Sequence, residues 1–109
     1  MAEISGLILE RVRRAVAVAG RRARVRAAYV FGSVVEGTAD QESDIDVAVF
    51  IDETDRLNIH ERAEAATDVQ LEVGSDMDLH LYSARLLNNP PPASFAKYIQ
   101  THGVKVALD

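Results

Sequence analysis

The sequence predicts a layered α/β domain in which helices alternate with a small number of strands. Its 109 residues, 48% of them apolar, suit one compact domain over residues 1–109. Apolar residues recur at helical spacing in the first part of the chain, and later apolar runs have the length of strands. Glycine and proline separate these segments, so we expect helices packed on a small sheet whose strand ends stay open for a site.

The first half of the chain is expected to contain one long helix and two strands. Apolar residues at helical spacing predict a helix over residues 3 to 19, which Gly20 ends. Val25–Phe31 is predicted as a buried strand, residues 34 to 42 as a loop or short helix, and residues 44 to 51 as a second strand.

The second half continues the alternation. Residues 52 to 55 offer several possible N-caps for a helix that runs to about residue 73. Met77–Ser83 is predicted as a third strand, and a proline-rich loop then separates it from a short helix over residues 93 to 102. Residues 104 to 108 are predicted as an edge strand.

The charges are unevenly distributed along a chain whose net charge is -5. Seven arginines lie between Arg11 and Arg26, and 14 of the 17 acidic residues lie between Glu36 and Asp78. The arginines are interpreted either as a solvated helix face or as a local patch for an anion or a partner. The acidic balance disfavours direct binding to nucleic acid.

Cysteine, long apolar segments and a signal pattern are all absent from the sequence. Disulfides and thiolate metal sites are therefore excluded. With no apolar run long enough for a membrane span, we expect no membrane association and a cytoplasmic location.

Asp44 and Asp46 stand one residue apart at the start of the second predicted strand. Residues i and i+2 of a strand project from the same face, roughly 6 to 7 Å apart. Two carboxylates held in this way repel each other unless water solvates them or a cation lies between them. Because Mg²⁺ prefers a few carboxylates with water and phosphate oxygens, the pair indicates either half of a two-metal phosphoryl-transfer site or a polar surface turn.

A Gly32-Ser33 pair ends the strand that precedes this segment. A strand that turns there into a short helix would expose backbone N–H groups and a hydroxyl to one point, which suits phosphate oxygens. Gly37 would allow the loop to return. Ser43, just before Asp44, is expected to cap or orient the loop, because no spacing supports a serine triad.

Asp78 lies in the alternating third strand, on a face that the alternation also assigns to Asp76, His80 and Tyr82. If the second and third strands are neighbours, Asp78 can reach a metal held by Asp44 and Asp46. His80 is interpreted as a solvated or hydrogen-bonded strand histidine, although it could also position a substrate or move a proton.

The stretch that contains Gly32-Ser33, Gly37 and Ser43-Asp44-Ile45-Asp46, followed by an apolar strand, resembles the signature of the nucleotidyltransferase superfamily that includes DNA polymerase beta. The short chain, down to its closing THGVKVALD, looks like the minimal nucleotidyltransferase (MNT) group. Members of that group often pair with a HEPN-domain protein as toxin–antitoxin modules.

This resemblance implies a small mixed sheet flanked by helices, and the transfer of a nucleoside monophosphate from a nucleoside triphosphate, expected to be ATP, to a hydroxyl. It implies that Asp44 and Asp46 bind two Mg²⁺ ions and that Asp78 completes the metal site and helps to activate the attacking hydroxyl. It also implies that Gly32 and Ser33 hold the outgoing pyrophosphate, within a phosphate-binding stretch that includes Gly37 and Ser43.

Three functions are therefore open. The first is a Mg²⁺-dependent nucleotidyltransferase that transfers AMP to a HEPN-type partner as its antitoxin. The second is a non-catalytic antitoxin that neutralises its partner by binding, because Val34-Val35-Glu36 stands where many relatives carry an arginine. The third is nucleotide transfer to a small molecule such as an aminoglycoside, which the absence of a second, substrate-binding domain disfavours unless a dimer supplies that surface.

Overall fold

The computed structural model describes residues 4–37, 43–52 and 56–108 of the chain. These residues form four strands and five helices, two of the helices being single turns. In chain order they are α1 (Gly6–Ala19), β1 (Val25–Phe31), α2 (Ser33–Glu36), β2 (Ile45–Ile51), α3 (Ile59–Glu72), β3 (Met77–Ser83), α4 (Arg85–Asn88), α5 (Phe95–His102) and β4 (Val104–Val106).

The four strands form one mixed sheet in the order β3-β2-β1-β4. β1 pairs antiparallel with both β2 and β4, whereas β2 and β3 run parallel. A parallel pair needs a long crossover connection, and α3 supplies it between β2 and β3. The predicted α/β (α+β) class, a small mixed sheet flanked by helices, is confirmed.

Apolar side chains cover both faces of the sheet. Val12 of α1 and Val69 of α3 are fully buried against one face, together with Val47 and Val49 of β2. Residues of α5 pack on the opposite face, together with alternate residues of β1 and β2; the buried residues of this second cluster are Ala27, Phe31, Ala48, Phe50, Ala96 and Ile99. The second face is the one on which the odd-even alternation of β2 and β3 places the predicted site residues.

The two long helices begin at polar caps. The hydroxyl of Ser5 accepts a hydrogen bond from Ile8 N at 3.2 Å, so α1 starts after Ser5 and not at residue 3. α3 begins with a capping box, in which Asn58 Oδ1 accepts from Glu61 N at 2.8 Å and Glu61 Oε1 accepts from Asn58 N at 3.0 Å. The predicted start within residues 52 to 55 is wrong, because Asn58 caps the helix; residues 53 to 55 lie outside the described residues.

The arginine-rich segment packs against the acidic face of α3. Arg11 binds both carboxylate oxygens of Asp76, and Arg21 binds both of those of Glu72, at 2.7 and 2.9 Å. Arg22 donates to Asp68 at 2.9 Å. These three arginines are therefore paired within the protein, and they hold α1 and the turn after it against α3 and its C-terminal end.

No helix in the described part of the chain is long and apolar enough to cross a membrane.

Candidate functional site

The parallel register of β2 and β3 sets Asp46 directly opposite Asp78. The ring of His80, two residues further along β3, lies between the two carboxylates. Its Nε2 is 3.4 Å from Asp46 Oδ1 and 3.3 Å from Asp78 Oδ2. Each of the three residues offers one ligand atom, and these atoms all lie within 4.8 Å of one another. The predicted proximity of the second and third strands, and of Asp78 to Asp46, is what the structure shows.

Asp46 is the more enclosed of the two carboxylates. Its side chain is 24% exposed, against 49% for Asp78. Burial raises the pKa of Asp46 above its ordinary value, and the negative charge of Asp78 adds to this effect, while the hydrogen bond with His80 opposes it. The site thus holds a carboxylate whose charged form is disfavoured by its surroundings and would be favoured by a bound cation.

Gly32 allows the backbone to approach Asp46 closely. It follows Phe31, which pairs with Asp46 across β1 and β2. Its φ of 83° and ψ of -154° lie in a region that is almost restricted to glycine. A Cβ atom at this position would collide with Oδ2 of Asp46. Gly32 is therefore needed both for the backbone conformation and for the position of the carboxylate.

The single helical turn α2 follows Gly32 at once. Val35 N and Glu36 N both donate to the carbonyl oxygen of Gly32 at 3.0 Å. The turn ends at Gly37, which has a φ of 80° and donates its N–H to Ser33 O. Helix geometry leaves the amides of Ser33 and Val34 without an intrahelical acceptor. This is the arrangement that the sequence predicts for a phosphate-binding turn.

Asp44 and Ser43 precede β2, which begins at Ile45. Asp44 is exposed and Ser43 is half-buried. Among the described residues, the side chains grouped closely enough to share a metal ion are Asp46, Asp78 and His80, so Asp44 stands outside that group. The structure brings together two of the three predicted aspartates, and the metal-binding role of Asp44 stays a prediction.

His80 belongs to this cluster, and its contacts with both carboxylates agree with the hydrogen-bonded role that the sequence favours. The strand alternation already places it on the face of Asp78, which is the signal that could have identified it. What the sequence does not contain is the register that brings Asp46 within hydrogen-bond distance of the imidazole. The ring also packs against Phe31, with 5.2 Å between the ring centroids.

Asp76 is also predicted on the face of Asp78, and this prediction is wrong. It precedes β3, and both of its carboxylate oxygens accept hydrogen bonds from the guanidinium of Arg11. The hydrogen bonds from Arg11 lower the pKa of Asp76. Two aspartates that are neighbours in the sequence, Asp76 and Asp78, therefore have opposite environments.

Glu36, the acidic residue in Val34-Val35-Glu36, points to α5. Its Oε1 accepts a hydrogen bond from the hydroxyl of Tyr98 at 2.7 Å. This bond raises the pKa of Tyr98. Val35 is buried in the core. Glu36 thus ties the α2 turn to α5.

The donor set of the cluster suits a hard divalent cation. Carboxylate oxygens are the preferred ligands of Mg²⁺, which usually takes one or two of them and completes its shell with water and phosphate oxygens. The exposed side of Asp78 leaves room for such additional ligands. An imidazole nitrogen is a softer donor, so His80 suits a hydrogen-bonding role around the carboxylates better than a place among Mg²⁺ ligands.

Comparisons with known proteins point to one family. The family model described as "Polymerase beta, Nucleotidyltransferase" matches residues 15–106. A search of curated proteins found no match. The family match confirms the resemblance seen in the sequence.

Solved structures of similar fold include proteins from toxin–antitoxin systems. A chain of a toxin–antitoxin crystal structure with AMP-PNP is 27% identical, with a TM-score of 0.60 over 89% of this chain and 73% of that chain. A chain of a structure of the toxin–antitoxin pair MntA-HpeT, a mutant with two Asp→Glu substitutions, is 21% identical to this chain. The match has a TM-score of 0.59 and covers 90% of this chain and 73% of that chain. A putative nucleotidyltransferase from Sulfolobus solfataricus is 19% identical, with a TM-score of 0.57 over 75% and 72%. The last two show the shared fold, and the first agrees with the minimal group within the family.

Proposed function

Since this chain belongs to the polymerase beta nucleotidyltransferase family, whose model spans residues 15–106, we propose that it transfers AMP from ATP to a hydroxyl group of a partner protein. The observation that carries the proposal is the convergence of Asp46 and Asp78 on the face where Gly32 begins the α2 turn. The proposal includes one catalytic domain over residues 1–109 and a cytoplasmic location.

Asp46 and Asp78, with Asp44 as the third candidate ligand, would hold the two Mg²⁺ ions that the family resemblance implies. When bound, these ions neutralise phosphate charge and lower the pKa of an attacking hydroxyl. The raised pKa of Asp46 supports its role as a ligand, because a group whose charge is costly in the folded protein gains most from a bound cation.

Gly32 and Ser33 would bind the outgoing phosphates. The oxygen of the acceptor hydroxyl forms a bond to the α-phosphorus of ATP, the bond between that phosphorus and the bridging oxygen breaks, and pyrophosphate leaves. The amides of Ser33 and Val34 would donate to the oxygens on which this charge accumulates. Asp78, the more exposed carboxylate, would accept the proton that the attacking hydroxyl loses.

The acceptor is proposed to lie on a HEPN-type toxin, which makes this chain an antitoxin. Its support is the likeness, at 27% identity, to a chain of a toxin–antitoxin structure with AMP-PNP. The half-exposed side chain of Asp78 leaves the site accessible to a hydroxyl presented by a second protein.

Incubation with ATP labelled at the α-phosphate, Mg²⁺ and a HEPN-domain partner tests the proposal. Wild-type protein should label the partner, and Asp46→Asn should abolish the label. Asp76→Asn is the matched control. Asp76 is also an aspartate, immediately before β3, but it is bound to Arg11 of α1 and not to the cluster. An unlabelled partner with wild-type protein, or equal labelling by wild type and Asp46→Asn, would contradict the proposal.

Neutralisation by binding alone is the second candidate. It is favoured by the exposed position of Asp44 outside the carboxylate cluster and by Glu36, which places an acid on the α2 turn. Co-expression of the toxin with Asp44→Ala and Asp46→Ala variants separates the two functions. Protection that survives both substitutions favours binding alone, and protection lost with the label favours catalysis.

A further inference from the structure

Two aromatic rings on α5 are exposed beside the carboxylate cluster. Phe95 is 50% exposed and Tyr98 is 38% exposed. Their centroids are 5.9 Å apart and the ring planes differ by 13°, so the two rings lie nearly parallel. We call this pair the aromatic shelf. Adjacent exposed aromatic rings form a surface on which a ligand or a partner can pack.

The shelf is separated from the cluster by two ring contacts. The His80 ring, which touches both carboxylates, packs on Phe31 at 5.2 Å, and Phe31 packs edge-on against Phe95 at 5.4 Å. Phe95 also contacts Tyr82, the next residue on the His80 face of β3, at 6.4 Å. The shelf therefore continues the wall of the site.

The shelf is also fixed to the turn proposed to bind phosphate. The Tyr98 hydroxyl donates to Glu36, which is the last residue of the turn that begins at Ser33. Ala96 and Ile99, on the opposite side of α5, are buried in the core, and Ser94 caps the helix by accepting from Lys97 N at 3.1 Å. The two rings thus have a constrained position relative to Gly32 and Ser33.

We infer that the aromatic shelf stacks the base of the nucleoside triphosphate, an inference that rests on the proposed function. A triphosphate on the α2 turn and the carboxylate cluster needs a surface for its base, and within the described part of the chain the shelf is an exposed aromatic surface that adjoins both. Aromatic side chains bind every base through its π-face. The shelf then favours purines over pyrimidines by their larger area of overlap, with only a modest preference between ATP and GTP.

Binding of ATP, CTP and inorganic tripolyphosphate in the presence of Mg²⁺, measured by calorimetry, tests this inference. Wild-type protein should bind ATP more tightly than CTP. Phe95→Leu should lower the affinity for ATP about tenfold and leave the affinity for tripolyphosphate unchanged, because the loss of one stacking partner affects the base alone. Leu71→Ala is the control, because Leu71 is an exposed apolar residue of α3, away from the shelf, and this variant should bind both ligands as the wild type does. Equal weakening of ATP and tripolyphosphate, or unchanged ATP binding, would overturn the inference.

A spectroscopic variant keeps the test independent of the stability of Phe95→Leu. The chain has no tryptophan, so Phe95→Trp places a single fluorophore on the shelf. ATP should change its emission and tripolyphosphate should not; the same response to both would contradict stacking. If wild-type protein binds neither ligand, the proposed function itself fails. If Phe95→Leu loses the partner protein but binds ATP normally, the shelf is a partner contact and the inference alone fails.

Discussion

Charges are paired differently in two regions of the molecule. One is the contact between α1 and α3, here called the seam, and the other is the carboxylate cluster on the opposite face of the sheet. In the seam, Arg11 is paired with Asp76 and Arg21 with Glu72, each through two hydrogen bonds. In the cluster, Asp46 and Asp78 converge with one imidazole between them. The pKa of Asp76 is lowered by its arginine, while that of Asp46 is raised by burial.

The difference separates charges that stabilise the fold from charges whose placement costs stability. The charged form of a carboxylate that is bound to arginine is more favourable in the folded state than in the unfolded state. The charged form of a buried carboxylate near a second carboxylate is less favourable in the folded state. Such a costly arrangement is typical of functional sites. We therefore expect substitutions in the seam to change stability and substitutions in the cluster to change activity.

Asp46→Asn should have the largest effect and the sharpest contrast with the seam. The amide keeps the shape of the side chain and removes its charge, so we expect nucleotidyl transfer to fall at least about a hundredfold. The folded protein should be as stable as the wild type or more so at neutral pH. Label transfer together with urea unfolding measures both, and a large loss of stability would place Asp46 among the structural charges.

Gly32→Ala should affect activity and stability together. The methyl group would collide with the Asp46 carboxylate, and alanine at a φ of 83° would cost about 1–3 kcal/mol of unfolding free energy. Gly6→Ala is the matched control, since a Cβ there meets nothing within 4 Å. If Gly32→Ala and Gly6→Ala show the same activity and stability, the close approach at Gly32 has no importance.

Asp76→Asn should have the smallest effect. It should lower the free energy of unfolding by about 1 kcal/mol, because solvent screens the ion pair, and it should leave the transfer activity unchanged. Its dependence on pH should be opposite to that of Asp46→Asn. The contribution of Asp76 is present above its ordinary pKa of 3.8 and is lost as pH falls through the lowered folded value. The contribution of Asp46 to stability is greatest below pH 3.8, its ordinary pKa, and is lost as pH rises through its raised pKa in the folded state.

Urea unfolding of the wild type and the two variants between acid and neutral pH measures these differences. Toward acid, the gap between wild type and Asp76→Asn should narrow, while the wild type should gain stability relative to Asp46→Asn. Parallel curves for the three proteins would show that the two environments do not differ.

The fold was largely predictable because its strands have clear patterns. The alternation in Met77–Ser83 indicates a strand and the face of each of its side chains, and the apolar run in Ile45–Ile51 indicates a buried strand. The starts of the helices were harder to predict. Residues 52 to 55 contain several residue types that can cap a helix, whereas α3 is capped by Asn58 because Asn58 and Glu61 form reciprocal hydrogen bonds.

The placement of Gly32, Asp46 and Asp78 could be predicted, because their residue types are tied to their local conformation and strand, while their roles stay predictions. The roles of His80 and Tyr98 depend on tertiary contacts that no local pattern contains. The register of β2 against β3 brings His80 to Asp46, and the packing of α5 brings Tyr98 to Glu36, 62 residues away in the chain. The pairing of Arg11 with Asp76, 65 residues apart, is of the same kind.

Thermal unfolding with increasing Mg²⁺ tests most directly whether the carboxylate cluster is a cation site. A ligand that binds the folded state alone raises its stability, so the Tm of the wild type and of Asp76→Asn should rise together as Mg²⁺ saturates the site. The Tm of Asp46→Asn should stay constant over the same range. An equal rise in all three proteins, or none in the wild type, would contradict the account.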